Sequence, residues 1–219
     1  MIEIKNLTKI YRRGKQNIVA LNDISFQSGS NEFIIIKGTS GCGKSTLLFT
    51  IGGMLKPSDG VVEVLGEDIY TMTERKRTSF RSGNIGFVFQ SYHLVPYLNV
   101  MENILLADRL PGINISEDEA LEIANNLNLN ERITHKPYEL SVGEKQRVAL
   151  TRALVTNPKI ILADEPTGNL DPQNAKEVLE YLSAFHRNGG LVIMVTHGNE
   201  ADKYATRQIE MKNGRIIEN

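Results

Sequence analysis

The stretch Gly38-Thr39-Ser40-Gly41-Cys42-Gly43-Lys44-Ser45-Thr46 constrains this chain more than any other. It follows the apolar run Phe33 to Ile36 and precedes TLLFTIGGM, which reads as a helix ending near Gly52 and Gly53. Strand, tight loop and helix are the context in which G-x-x-x-x-G-K-[ST] binds phosphate. Glycines let successive backbone N–H groups converge on an anion, and the helix N-terminus adds its positive end. Lys44 is placed to reach β and γ phosphates, and the Ser45 hydroxyl to ligate magnesium. The expected ligands are ATP and Mg²⁺. Cys42 inside the loop has two readings: a thiolate favoured by its surroundings and open to oxidation, or a small inert space-filler.

The loop implies an α/β fold, and the rest of the chain agrees. Ile2, Ile4, Leu21, Ile24 and Phe26 alternate with polar neighbours as short, partly exposed strands. Val61 to Gly66 reads as a strand at the sheet edge beside the nucleotide, Thr73 onward as a polar helix, and Ile85 to Gln90 as a strand. From Val100 to about Leu154 the apolar spacing turns helical, with Ser116 and Glu119 in the form of a capping box. IILAD from Ile160, a helix from Pro172 to Phe185, LVIMVT from Leu191, and the strand-like RQIEM and RIIE complete the pattern. Nearly all-apolar strands are those of a mostly parallel sheet covered on both faces.

Asp164 and Glu165 follow the Ile160 strand directly. The carboxyl end of a parallel strand is where open α/β sheets place ligand-binding groups. Asp164 is the candidate Mg²⁺ partner through water, and Glu165 the candidate general base on the attacking water. Gln90 and His197 end two other strands. The first offers a neutral amide to metal and water, the second a hydrogen bond to the γ-phosphate.

Composition excludes several classes. With 25 Lys and Arg against 26 Asp and Glu among 219 residues, the formal net charge of -1 carries no nucleic-acid footprint. A single cysteine rules out an intrachain disulfide and suits a reducing compartment. The charged start MIEIKNLTKIY does not read as a signal peptide. The apolar runs fall short of the ~18 to 20 residues that cross a bilayer, so a membrane process would need another chain or domain to span.

Leu140-Ser141-Val142-Gly143-Glu144, opening the helix KQRVALTRAL shortly before the Asp164 strand, adds a further element. With it, almost the whole chain resembles the nucleotide-binding subunits of ABC transporters. The resemblance implies a P-loop NTPase core with an N-terminal antiparallel β subdomain and an inserted α-helical subdomain. Residues 1–90 and 155–219 would form the ATP-binding core of one domain, and 91–154 the helical part. Tyr11 resembles the aromatic that stacks on adenine, though a ring there also suits closing a strand edge. Gln90 resembles the Q-loop, Asn169 to Asp171 the D-loop, and His197 the switch histidine. In that family the signature segment closes over ATP held by a second subunit. Ser141 and Gly143 would then contact a γ-phosphate in trans, and Asp171 would lie between subunits. Two departures stand out: Val142 replaces a usual glycine, and Thr39 a common proline.

Within the family the chain is similar to the small ATPases of lipoprotein release, macrolide export and antimicrobial-peptide resistance. This implies peripheral attachment at the cytoplasmic side of the membrane, an integral permease-type partner, and export or extraction of a lipophilic or peptide-like substrate. Ser91 to Asn103, with Tyr92, Leu94, Val95, Tyr97 and Leu98, is the candidate face for the permease; ordinary packing of the insertion is the other reading. Two further readings are a soluble ABC-type ATPase of translation or DNA repair, and a structural partner that binds ATP without turnover. The former would carry paired domains or a long coiled coil; the latter is opposed by intact Lys44, Asp164, Glu165 and His197.

Overall fold

A computed structural model describes residues 1–14, 16–109 and 113–217, leaving out the side chain of Arg13. The strands are β1 Ile2–Arg13, β2 Gln16–Ser28, β3 Phe33–Gly38, β4 Asp59–Val64, β5 Glu67–Asp68, β6 Ile85–Phe89, β7 Ile160–Asp164, β8 Leu191–Val195, β9 Arg207–Lys212 and β10 Arg215–Ile217. The helices are α1 Lys44–Ile51, α2 Glu74–Asn84, α3 Val100–Ile104, α4 Glu117–Asn126, α5 Val142–Leu154 and α6 Pro172–Arg187.

Two sheets form. One is antiparallel, in the order β2-β1-β4-β5; the other runs β10-β9-β3-β8-β7-β6. The second is parallel from β9 to β6, with β10 closing it as an antiparallel hairpin. The two opening strands, of 12 and 13 residues, are longer than their alternation suggests. Register shifts between Ile4 and Leu7, Leu7 and Lys9, and Lys9 and Ile10 explain this. Each bulge resets the two-residue period, so a continuous strand reads as fragments. The Val61 segment also differs from expectation: β4 lies inside the antiparallel sheet between β1 and β5, not at an edge. Long-range pairing with Ile2 to Lys5 decides its place, and local sequence carries no trace of that.

Alternate residues of the parallel strands feed opposite layers. Ile35, Val88, Ile161, Ala163, Val192 and Met194 pack with α3 to α6 in one core cluster. Ile34, Ile36, Leu162, Ile193 and Val195 pack with α1 and the antiparallel sheet in the other. Each fully buried aliphatic side chain contributes about 1.5–3 kcal/mol, so both faces of the sheet are pinned.

The helical block is built on caps. Capping boxes close α3 through Asn99 and Glu102, α4 through Ser116 and Glu119, and α5 through Ser141 and Glu144. Short 3₁₀ turns at Leu105–Arg109, Asn130–Arg132 and Pro137–Glu139 break the expected helical run, which also includes 110–112, outside the described residues. The start of α3 is tied to the 130s by backbone bonds from Val100 N to His135 O, 2.9 Å, and Met101 N to Ile133 O, 3.0 Å. The strand read at RIIE is β10 as far as Ile217; Glu218 lies outside the described residues. Among the described residues, no helix is long and apolar enough to cross a membrane.

Candidate functional site

Register brings the predicted residues to one edge. Phe89 pairs with Asp164, Asp164 with Val195, and Val195 with Ile36. Gln90, Asp164, Glu165, His197 and the Gly38 loop therefore leave the carboxyl ends of four neighbouring strands together.

The loop bends as the motif demands. Gly43 has φ 107 immediately before α1, and a Cβ there would collide with the Ala20 carbonyl of β2. Only glycine meets both conditions. Thr39, Ser40 and Gly41 form an exposed rim, while Cys42 is tucked inward and buried in the core cluster with Leu47 and Leu48. Burial favours the space-filling reading of that thiol. The Lys44 ammonium curls back onto the carbonyls of Gly38, 2.9 Å, and Thr39, 3.1 Å. The first N–H groups of α1, at Lys44 to Thr46, lack intrahelical partners by position.

The Ser45 hydroxyl donates to Asp164 Oδ1 at 3.0 Å. Burial pushes the Asp164 carboxyl above its ordinary range, helped by the Glu165 charge and opposed by the Ser45 bond. A half-buried carboxylate that ionises reluctantly, beside a hydroxyl, suits a cation that brings its own waters. No cluster of three or more His, Cys, Asp or Glu suited to a metal occurs among the described residues. One carboxylate plus one hydroxyl is a sparse set that fits hydrated Mg²⁺ bound together with phosphate.

Glu165 sits in the left-handed region at φ 47, donates its N–H to Val195 O at 2.9 Å, and accepts from Gly168 N at 3.2 Å. Its Oε1 lies 2.6 Å from His197 Nε2. Gly168 fits between Gln90 and Glu165, since a Cβ there would stand 3.2 Å from Gln90 Nε2 and 3.6 Å from Glu165 Oε2. Glu165 thus lies beside His197 on one side and, across Gly168, beside Gln90 on the other.

Tyr11 is 39% exposed on β1, opposite exposed Ile18 of β2, with Lys9 Nζ 5.4 Å from its ring centroid. This apolar surface lies just before Ala20, the residue against Gly43. Ile18, not singled out in the sequence, shares its exposure with the neighbouring Val19, 47% and 48%.

Ser141 and Gly143 stand elsewhere. Among the described residues no hydrogen bond joins 141–144 to the Gly38 loop. Ser141 is exposed at the start of α5, and Val142 is the first helical residue, 45% exposed. Its φ is not positive, so its β-branch fits the backbone without strain. Gly143 is buried against Asn174 of α6. Asp171 caps α6, accepting from the N–H groups of Gln173 and Asn174 and from Asn174 Nδ2. Arg132, from a turn before α5, donates its Nε to Glu144 Oε1 at 2.7 Å.

Comparison with known proteins identifies the family. The family model described as ABC transporter matches residues 21–168. An uncharacterized ABC transporter ATP-binding protein of Methanocaldococcus jannaschii is 41% identical over 100% of this chain and 98% of its own length. The lipoprotein-releasing system ATP-binding protein LolD of Geobacter metallireducens is 40% identical over 99% and 98%. The macrolide export ATP-binding/permease protein MacB of Chlorobaculum tepidum is 39% identical over 100% of this chain, which spans 34% of that protein. Among solved structures, an ATP-binding cassette captured as a post-hydrolysis dimer bound to ADP and Pi superposes with a TM-score of 0.93 at 36% identity, covering 100% of this chain and 97% of that one. Fold and relatives converge: this chain is an ATP-hydrolysing cassette and belongs to the ABC transporter family.

Proposed function

We propose that two copies of this chain sandwich two ATP molecules and that their closure drives an integral membrane permease from its cytoplasmic side. One observation carries the reading. Lys44, Ser45, Asp164, Glu165, His197 and Gln90 share one sheet edge, whereas Ser141 and Gly143 head a helix that, among the described residues, makes no hydrogen bond to that edge. A second copy supplies what the edge lacks: a helix N-terminus bearing a hydroxyl and free N–H groups, fit for a γ-phosphate.

In this scheme Lys44 and the N–H groups of the loop from Gly38 to Thr46 hold the phosphates, and Tyr11 with Ile18 receives the adenine. Ser45, Asp164 and Gln90 hold Mg²⁺, which when bound neutralises phosphate charge. Glu165 accepts a proton from water as the water oxygen bonds to the γ-phosphorus and ADP leaves. His197, beside that carboxylate, donates its N–H to the γ-phosphate. Ser141 and Gly143 of the partner close the site, excluding bulk water and fixing the charges around it. Asp171 lies at the junction of the two copies. The ATP-binding core comprises 1–90 and 155–219, and the helical subdomain 91–154.

For the permease, a cavity of about 350 Å³ between α2, β6 and α5 offers a seat, lined among others by Met54, Phe87, Phe89, Arg81 and Arg152. Beside it runs the segment of Tyr92 to Leu98, whose Tyr97 is 74% exposed. Relatives carry names of lipoprotein release, macrolide export and hemin import. They support a lipophilic or peptide-like substrate moved by the partner. A role in translation or DNA repair finds no support in those transporter names.

Glu165→Gln tests the reading. It keeps ATP binding, lowers turnover at least a hundredfold, and accumulates an ATP-dependent dimer in light scattering. Undiminished turnover would remove Glu165 as base.

A further inference from the structure

We propose that Arg132 is a positioning residue of the ATP sandwich: through Glu144 it holds Ser141 and cancels a carboxylate charge that would otherwise face the partner's γ-phosphate. The inference rests on the sandwich reading above.

Ser141 sits in a reciprocal box with Glu144. Its N–H donates to Glu144 Oε2 at 2.7 Å, while Glu144 N donates to Ser141 Oγ at 3.3 Å. This satisfies two helix-start groups but places a formal negative charge three residues from the serine. Glu144 is ionised: burial alone would raise its pKa, yet the Ser141 N–H and hydroxyl and the Arg132 guanidinium together bring it down to about 2. The Glu144 side chain is only 16% exposed, so water screens it poorly. A carboxylate so placed attracts the α5 N-terminus but repels a polyphosphate brought to the same end.

Arg132 resolves the conflict. Its Nε donates to the other carboxylate oxygen, Oε1, at 2.7 Å. It reaches there from the 3₁₀ turn Asn130–Arg132, not from α5, and so acts from outside the helix. The turn is itself steadied, because the carbonyls of Ile133 and His135 just beyond it accept the first N–H groups of α3. Guanidinium, carboxylate and serine thus form one chain of bonds ending at the hydroxyl offered to the partner. Glutamine at 144 would still close the box, since S-x-x-Q caps as S-x-x-E does, but it would bring no charge to cancel.

The test uses the full chain carrying Glu165→Gln, with ATP affinity measured at protein concentrations where the chain is monomeric and ATP-dependent dimerisation followed by light scattering. Arg132→Ala is expected to leave monomer affinity for ATP within twofold and to weaken dimerisation at least fivefold, with Arg132→Lys recovering most of the loss. In a Glu144→Gln parent, Arg132→Ala is expected to change dimerisation by less than twofold relative to that parent. A fivefold loss that persists in the Glu144→Gln parent would overturn the proposal, since Arg132 would then act only on its own turn. So would wild-type dimerisation in Arg132→Ala. If Ser141→Ala also leaves dimerisation intact, the sandwich reading falls; if Ser141→Ala weakens it while Arg132→Ala does not, only the role of Arg132 falls. Should Arg132→Ala fail to fold, the Arg132→Gln and Arg132→Lys pair makes the same distinction through charge alone.

Discussion

A methyl group at position 143 would displace the side chain of Asn174. A Cβ there would fall inside the Asn174 amide, which donates to Asp171 at 2.5 Å and accepts from Arg147 at 3.1 Å. The amide can yield only by breaking those bonds, and overpacking of this kind costs about 1–3 kcal/mol. Gly143→Ala is therefore expected to lower the melting temperature by several degrees and ATPase turnover at least tenfold. A variant melting and turning over like the parent would mean that Asn174 rotates freely. This constraint is invisible in the sequence, because it pairs residues of different helices. Glu165 teaches the same lesson: its place after an apolar strand is readable, but its left-handed φ of 47 is not, since nothing in a glutamate announces such a backbone. Non-glycine residues held there store strain, and they gather at functional sites.

At the scale of the element, α5 shows what local spacing can and cannot say. Ser141 followed three residues later by Glu144 repeats the pattern legible at Ser116 and Glu119, and both boxes form. Val142 is a β-branched residue where glycine is usual. In the structure it opens the helix with ordinary backbone angles and a side chain largely in water. Val142→Gly is accordingly expected to change kcat less than tenfold and stability by no more than about 1 kcal/mol. A hundredfold change in kcat would show that the side chain itself meets the partner. The opening strands were harder to read: the bulges at Leu7 and Lys9 break the two-residue period on which strand recognition depends.

Across the whole molecule, the central parallel strands were readable because strands buried on both faces are nearly all apolar, and the candidate site was readable because such strands deliver their loops to one edge. The neighbours of each strand were not. That β3 lies between β8 and β9, or that β4 joins β1, depends on pairings across much of the chain. At this scale belongs the permease. Tyr97 projects from the segment beside the Phe87 and Phe89 cavity, far more exposed than an aromatic ring needs to be for the fold. Tyr97→Asp should leave the ATPase rate of the isolated chain within twofold and reduce its co-purification with the permease at least fivefold. Equal recovery would move the contact to another face.

The separation of Ser141 from the Gly38 loop has a last consequence, for the cell that makes this subunit. On the proposed dimer a lone copy would load nucleotide but lack the piece that commits it to reaction, so wasted turnover would scale with the square of the free copies, not with their number. Dilute, unassembled subunits would sit charged and quiet. The fuel would be spent where a permease gathers two of them, and an excess of subunit over permease would be harmless until it is large.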